Sequence, residues 1–136
     1  MSSAGRHDDT HVIADAISDI AREAGTLLLS MQAMERTVDE KAPADLVTDA
    51  DRAAETLIRE RLSARFAGAS MLLEESGAQR AAGTGHKDLT FVVDPLDGTT
   101  NYASGIPHFA VSIGVHRKDR PVAGAIYDPH RDEMFC

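Results

Sequence analysis

Between residues 10 and 34 the apolar positions recur at spacings of one, three and four: Val12, Ile13, Ala16, Ile17, Ile20, Ala24, Leu27, Leu28 and Met31. That spacing gathers them on one face of a 3.6-residue helix and predicts an amphipathic helix there. Asp9 or Thr10 would cap its start. A second stripe, Ala54, Leu57, Ile58, Leu62 and Phe66, predicts a second helix beginning at Thr48 or Asp49. Thr48 with Asp51 three residues on has the form of a capping box, with Asp in place of the usual Glu. Residues 37–43, between the stripes, are polar and read as a loop or hairpin. After Phe66 the pattern changes. Residues 70–73, 89–93, 109–116, 122–127 and 133–135 are short apolar runs, partly alternating, which predict strands. Residues 117–121 read as a hairpin turn, and residues 77–87, rich in Ala and Gly, as a surface loop. Helices followed by strands indicate an α+β fold: an N-terminal helix pair packed on a mainly antiparallel sheet.

The size, 136 residues, suits one small domain. Fourteen basic against 22 acidic residues give a net charge of −8. Such a balance argues against direct nucleic-acid binding, which needs clustered Lys and Arg. It also offers no long-range attraction to a phosphate group, so bound cations would have to reverse the local field. The single cysteine, Cys136, allows no internal disulfide and no Cys-based zinc site. A cytoplasmic location is the expectation. No apolar run approaches the ~20 residues of a spanning helix, so no membrane role is expected. Residues 1–9 are polar, lack the apolar core of a signal peptide, and read as a disordered tail preceding a domain at 10–136. Six histidines are scattered; His7 and His11 lie one helical turn apart, but no further ligand joins them for zinc.

The chemistry concentrates in Asp94-Pro95-Leu96-Asp97-Gly98-Thr99-Thr100-Asn101. Two carboxylates stand three residues apart where a strand is expected to end, and a hydroxyl-rich turn follows. Mg²⁺ takes oxygen ligands, typically one or two carboxylates with waters and substrate phosphates. Gly98 accepts dihedrals that other residues refuse, which lets a turn aim N–H groups at an anion. A cation seat beside a phosphate seat points to metal-assisted phosphoester hydrolysis. As plain turn residues, Asp94 and Asp97 would repel one another, and a bridging cation removes that cost. A helix beginning near Thr99 would add unpaired N–H groups for a phosphate, whether or not the Thr99 hydroxyl also caps it. Upstream, Glu74-Glu75 closes a predicted strand. Adjacent strand residues face opposite ways, so at most one can face a shared metal unless the backbone breaks there.

Taken together, Asp94 to Asn101, the pair Glu74-Glu75 and the segment Asp45-Leu46-Val47-Thr48-Asp49-Ala50-Asp51 resemble the inositol monophosphatase family, part of a lithium-sensitive, magnesium-dependent phosphatase superfamily. The resemblance runs from about Ile13 to the last residue. It implies the N-terminal half of a layered αβαβα sandwich, with the C-terminal half absent. It implies Glu74, Asp94, the Leu96 carbonyl and Asp97 as ligands of two or three Mg²⁺ ions, with Mn²⁺ as a substitute. Glu75 would hold metal-bound water. Glu74 and Thr99 would align the attacking water, with Asp51 as partner of the Thr99 hydroxyl; the competing reading of Asp51 is the capping-box residue. Glu74, Leu96, Asp97, Gly98 and Thr99 would also meet the substrate. Lys41 lies where related enzymes carry a mobile loop, although a solvated surface lysine is the plainer reading.

The implied reaction is hydrolysis of a phosphate monoester, inositol monophosphate first, by a full-length homodimer. The Thr-Thr-Asn-Tyr run after Gly98 is similar to that of inositol monophosphatases rather than of nucleotide or fructose phosphatases. Related enzymes carry a Trp-Asp pair in their second half whose Asp completes a metal site. This chain has no Trp, so it is expected to be a fragment with impaired activity. The alternatives are a non-catalytic protein-interaction module, since some bacterial relatives bind transcription machinery, and a nucleotide or other sugar phosphatase of the same superfamily.

Overall fold

The computed structural model describes residues 3–38, 43–74 and 76–136. Two long helices, α1 (Ser3–Val38) and α2 (Pro43–Arg65), precede a six-stranded sheet. Its strands are β1 (Ser70–Leu73), β2 (Gly77–Arg80), β3 (Leu89–Asp97), β4 (Ala110–Arg117), β5 (Arg120–Asp128) and β6 (Glu133–Phe135), with a short helix α3 (Thr99–Ala103) between β3 and β4. The order across the sheet is β2-β1-β3-β4-β5-β6, and every neighbouring pair is antiparallel except β1 with β3. The expected helix pair on a mainly antiparallel sheet is therefore what the chain builds.

The apolar stripes of both helices meet one face of the sheet. Ile13, Ile17, Ile20 and Leu28 of α1, and Ala54, Ile58 and Leu62 of α2, are buried with Met71, Phe91, Val93, Val111, Ile113 and Val115. Removing that apolar surface from water is the main favourable term holding the layers together. Close approach of α1 to β5 depends on Gly25. A Cβ there would stand 2.5 Å from the Tyr127 ring, so only a residue without a side chain lets the helix lie flat on the strand.

Several boundaries differ from the pattern. Helix α1 starts at Ser3, so backbone expected as a tail is helical from there. Helix α2 starts at Pro43, not at Thr48. A proline is well suited to a first helical position, where its missing N–H costs nothing. Thr48 and Asp51 therefore lie inside a helix already under way and form no capping box. Residues 77–80, expected as loop, pair with β1 as the edge strand β2. Gly77, Ala78, Gln79 and Arg80 include no large apolar residue, so they give no alternation to read. Strand β3 continues through the Asp-Pro-Leu-Asp segment and ends only at Asp97, with the pairing to β4 shifting register between Asp94 and Asp97. Pro95 donates no ladder bond, and a bulge is where such a residue is tolerated inside a sheet. Lys41, most of the expected 37–43 loop, and Glu75 lie outside the described residues.

Candidate active site

The parallel pairing of β1 with β3 does the most to build a site. Strands β1 and β3 run side by side from Ser70 opposite Thr90 to Leu73 opposite Val93. Glu74 follows Leu73 just past the end of β1, and Asp94 follows Val93 inside β3, so the two acids stand at the same level of adjacent strands. Alternation decides the face: Leu73 and Val93 point into the core, and Glu74 is exposed while Asp94 is half-buried. Asp94, paired with Ser112, thus sits on the side of the sheet away from the helices, and Glu74 lies in the turn just past β1. Beyond Asp94 the alternation breaks. Pro95 and Leu96 are both buried, and Asp97 emerges exposed. The Leu96 amide donates to Asp94 Oδ1 at 3.3 Å, which folds the carboxylate back over the bulge.

Gly98 then reverses the chain. Its φ of 95° lies in the left-handed region, and a Cβ there would come within 2.8 Å of the His108 carbonyl oxygen. Glycine alone meets both conditions without strain. It serves as the N-cap of α3, with no side-chain capping bond, so Thr99 is the first helical residue and not the cap. The helix is anchored from below. Tyr102 is fully buried; its hydroxyl donates to the Leu28 carbonyl at 2.8 Å, and Gln32 Nε2 donates to the Tyr102 carbonyl at 2.9 Å. Phe109 stacks edge-on against the Tyr102 ring at 4.9 Å, and Asn101 Nδ2 donates to the His108 carbonyl at 2.9 Å. The turn carrying Gly98 and Thr99 is therefore held between α1 and the start of β4. Gln32, buried on α1, escapes a reading of the sequence because a lone polar residue in an apolar stripe has no motif.

Among the described residues of α2, two acids are buried: Asp51 at 4% exposure and Glu55 at 3%. Asp51 is a candidate on sequence grounds. Glu55 is not, although its spacing offers a signal: it interrupts the stripe formed by Ala54 and Ile58. Ser76 Oγ donates to Glu55 Oε2 at 2.6 Å, bringing α2 into contact with the turn after Glu74.

An all-oxygen donor set of this kind fits a hard cation. Glu74 comes from just past β1 and Asp94 from within the neighbouring β3, with Asp97 and the Leu96 carbonyl across the bulge. Among the described residues no three Asp, Glu, His or Cys side chains are gathered closely enough to hold a metal by themselves. Mg²⁺ does not require that. It keeps several waters and commonly uses one or two protein carboxylates beside a substrate phosphate.

Comparison with known proteins decides the lineage. A model of the Inositol monophosphatase family matches residues 9–136. The chain belongs to the inositol monophosphatase family. It is 47% identical over 95 residues to an inositol-1-monophosphatase of Mesorhizobium japonicum, covering 70% of this chain and 35% of that protein. It is 40% identical over 117 residues to the Nus factor SuhB of Escherichia coli K12, covering 85% of this chain and 43% of that one. Among solved structures, the extragenic suppressor protein SuhB of Bartonella henselae superposes with a TM-score of 0.75 at 38% identity, over 91% of this chain and 47% of the other. The inositol monophosphatase of Anabaena gives 0.74 at 35%, over 93% and 44%. The chain thus spans less than half the length of these relatives. No helix among its described residues is long and apolar enough to cross a membrane.

Proposed function

We propose that residues 10–136 form the metal- and phosphate-binding half of a magnesium-dependent phosphatase acting on a phosphate monoester, inositol monophosphate first. The observation that supports this reading is the parallel β1–β3 pair, whose last partners, Leu73 and Val93, are the residues just before Glu74 and Asp94. Glu74, Asp94, Asp97 and the Leu96 carbonyl are the residues that would hold the ions. When bound, Mg²⁺ supplies Lewis acidity, lowering the pKa of water and neutralising charge on the departing alcohol oxygen. Glu74 would align the attacking water by accepting its hydrogen bond, with the Thr99 hydroxyl as second orienting group. The backbone N–H groups around Gly98 and Thr99 would receive the non-bridging phosphate oxygens. Asp51, buried in α2, would steady the Thr99 side of the site. Catalysis of this kind rests on placement more than on one strong base. Assembly of the complete enzyme as a homodimer belongs to the same proposal.

A calorimetric titration with Mg²⁺, paired with an inositol monophosphate hydrolysis assay, tests the reading. Asp94→Asn and Glu74→Gln should each abolish the binding heat and any turnover while leaving the circular dichroism spectrum unchanged. Heat that persists in both variants overturns the reading. The Nus factor name of the Escherichia coli relative supports a second reading, a protein-interaction module; there Asp94→Asn would leave partner binding intact.

A further inference from the structure

Burying a carboxylate is costly unless it is hydrogen-bonded, so the position of Glu55 calls for a reason. It lies one helical turn beyond Asp51 among the apolar residues of α2. Its contact is specific. Ser76 Oγ reaches Glu55 Oε2 at 2.6 Å, within the short range of a charge-assisted hydroxyl–carboxylate bond. Ser76 belongs to the turn joining β1 to β2 and stands two residues after Glu74. Strand β2 is a four-residue edge strand with mostly exposed side chains, paired only to β1. Helix α2, by contrast, is clamped into the core by Ala54, Ile58 and Leu62.

We infer that Glu55 is a positioning residue: its carboxylate tethers the β1–β2 turn to α2 and so sets where Glu74 stands relative to Asp94. The inference rests on the proposed role of Glu74 at the ion site. The tether joins the hairpin that begins after Glu74 to α2. With it, the acid is referred to the same helix that carries Asp51, and three chain segments meet at one place.

Amide hydrogen exchange on the whole 136-residue chain, free of metal, tests the tether directly. Ser76→Ala and Glu55→Ala should each speed exchange at Glu74, Ser76 and Gly77 about tenfold, the scale set by losing one hydrogen bond to a charged group. Amides of β3 and β4 should not change. The double variant should exchange no faster than Glu55→Ala alone, because that variant already removes the bond to Ser76. Glu55→Gln keeps an acceptor and should retain most of the protection. Ser76 is exposed, so Ser76→Ala opens no cavity and carries the test if Glu55→Ala fails to fold. Calorimetry with Mg²⁺ should show about tenfold weaker binding in Ser76→Ala. Unchanged turn exchange, or loosening no greater in the turn than in α2 and β3, overturns the tether. A parent chain that binds no Mg²⁺ instead defeats the phosphatase reading, and the ion-positioning consequence with it.

Discussion

The sheet face that meets α1 and α2 and the face turned away from them are made by the same strands, one residue out of step. On the first lie Met71, Leu73, Phe91, Val93, Ile113 and Val115, all buried. On the second lie Leu72, Val92 and Ile126, exposed by 47%, 41% and 48%. A row runs across this second face from Leu72 through Val92 and Gly114 to Gly124. Asp94, paired with Ser112, borders it. The faces answer to different physics. The covered one is decided by burial, residue by residue. The open one carries apolar groups that this chain leaves in water, and on it the register with β4 sets where Asp94 emerges. One rule, strand alternation, therefore builds both the core and the platform for the site.

The largest effect should come from testing that asymmetry at two neighbours. Phe91 is fully buried and its ring packs on Phe66 at 4.9 Å. Phe91→Ala should cost about 3–5 kcal/mol in urea unfolding, a large share of the stability of a domain this size. Val92→Ser, one residue along and on the open face, should stay within about 0.5 kcal/mol. Equal losses would mean that the second face contributes to folding stability no less than the first.

Glycine substitution sharpens the contrast at smaller scale. Gly98→Ala forces a side chain onto a φ of 95° and against the His108 carbonyl, and should destabilise by about 1–3 kcal/mol. Gly114→Ala, on the open face, adds a Cβ that meets nothing within 4 Å. It should be neutral, or stabilise by up to about 1 kcal/mol through the unfolded chain. Thermal melts of the two variants side by side are sufficient.

The two faces also differ in how they can be read from the sequence. The covered face follows from periodicity: Ile13, Ile17, Ile58 and Leu62 announce their helices because apolar spacing is a direct consequence of burial. The acids are legible as residue types, since Asp94 and Asp97 beside Gly98 imply an oxygen-lined turn wherever they fold. Their setting is not. That Asp94 lies within β3 and not after it depends on pairing with β4, a long-range event that no local window contains. Asp51 carries a capping signal that loses to a helix start eight residues earlier, at Pro43. Glu55 stands out only by its place beside the stripe of Ala54 and Ile58, and its partner Ser76, 21 residues away, is brought against it by the fold.

The smallest effect concerns the seam where α1 meets the sheet at Tyr127, and it is read in pH. The phenol donates to Asp132 Oδ1 at 2.7 Å, and the Arg22 guanidinium lies 5.6 Å from the ring centre. Burial, and then the neighbouring Asp132 carboxylate, push the Tyr127 hydroxyl above its ordinary value of 10.0, against a smaller opposing pull from Arg22. The sign follows from linkage. Below pH 10.0 the phenol is protonated in both folded and unfolded chains, and its contribution to stability is fully present. As the pH rises past that point the unfolded chain releases its proton first, so stability falls until the folded phenol ionises as well. Tyr127→Phe removes the titrating group and keeps the ring over Gly25. The difference between the urea midpoints of parent and variant should therefore be flat below pH 10.0 and shift against the parent above it. A difference that stays flat through the alkaline range would mean that the phenol is as free in the fold as in water, and that the seam between α1 and β5 is held by the ring alone.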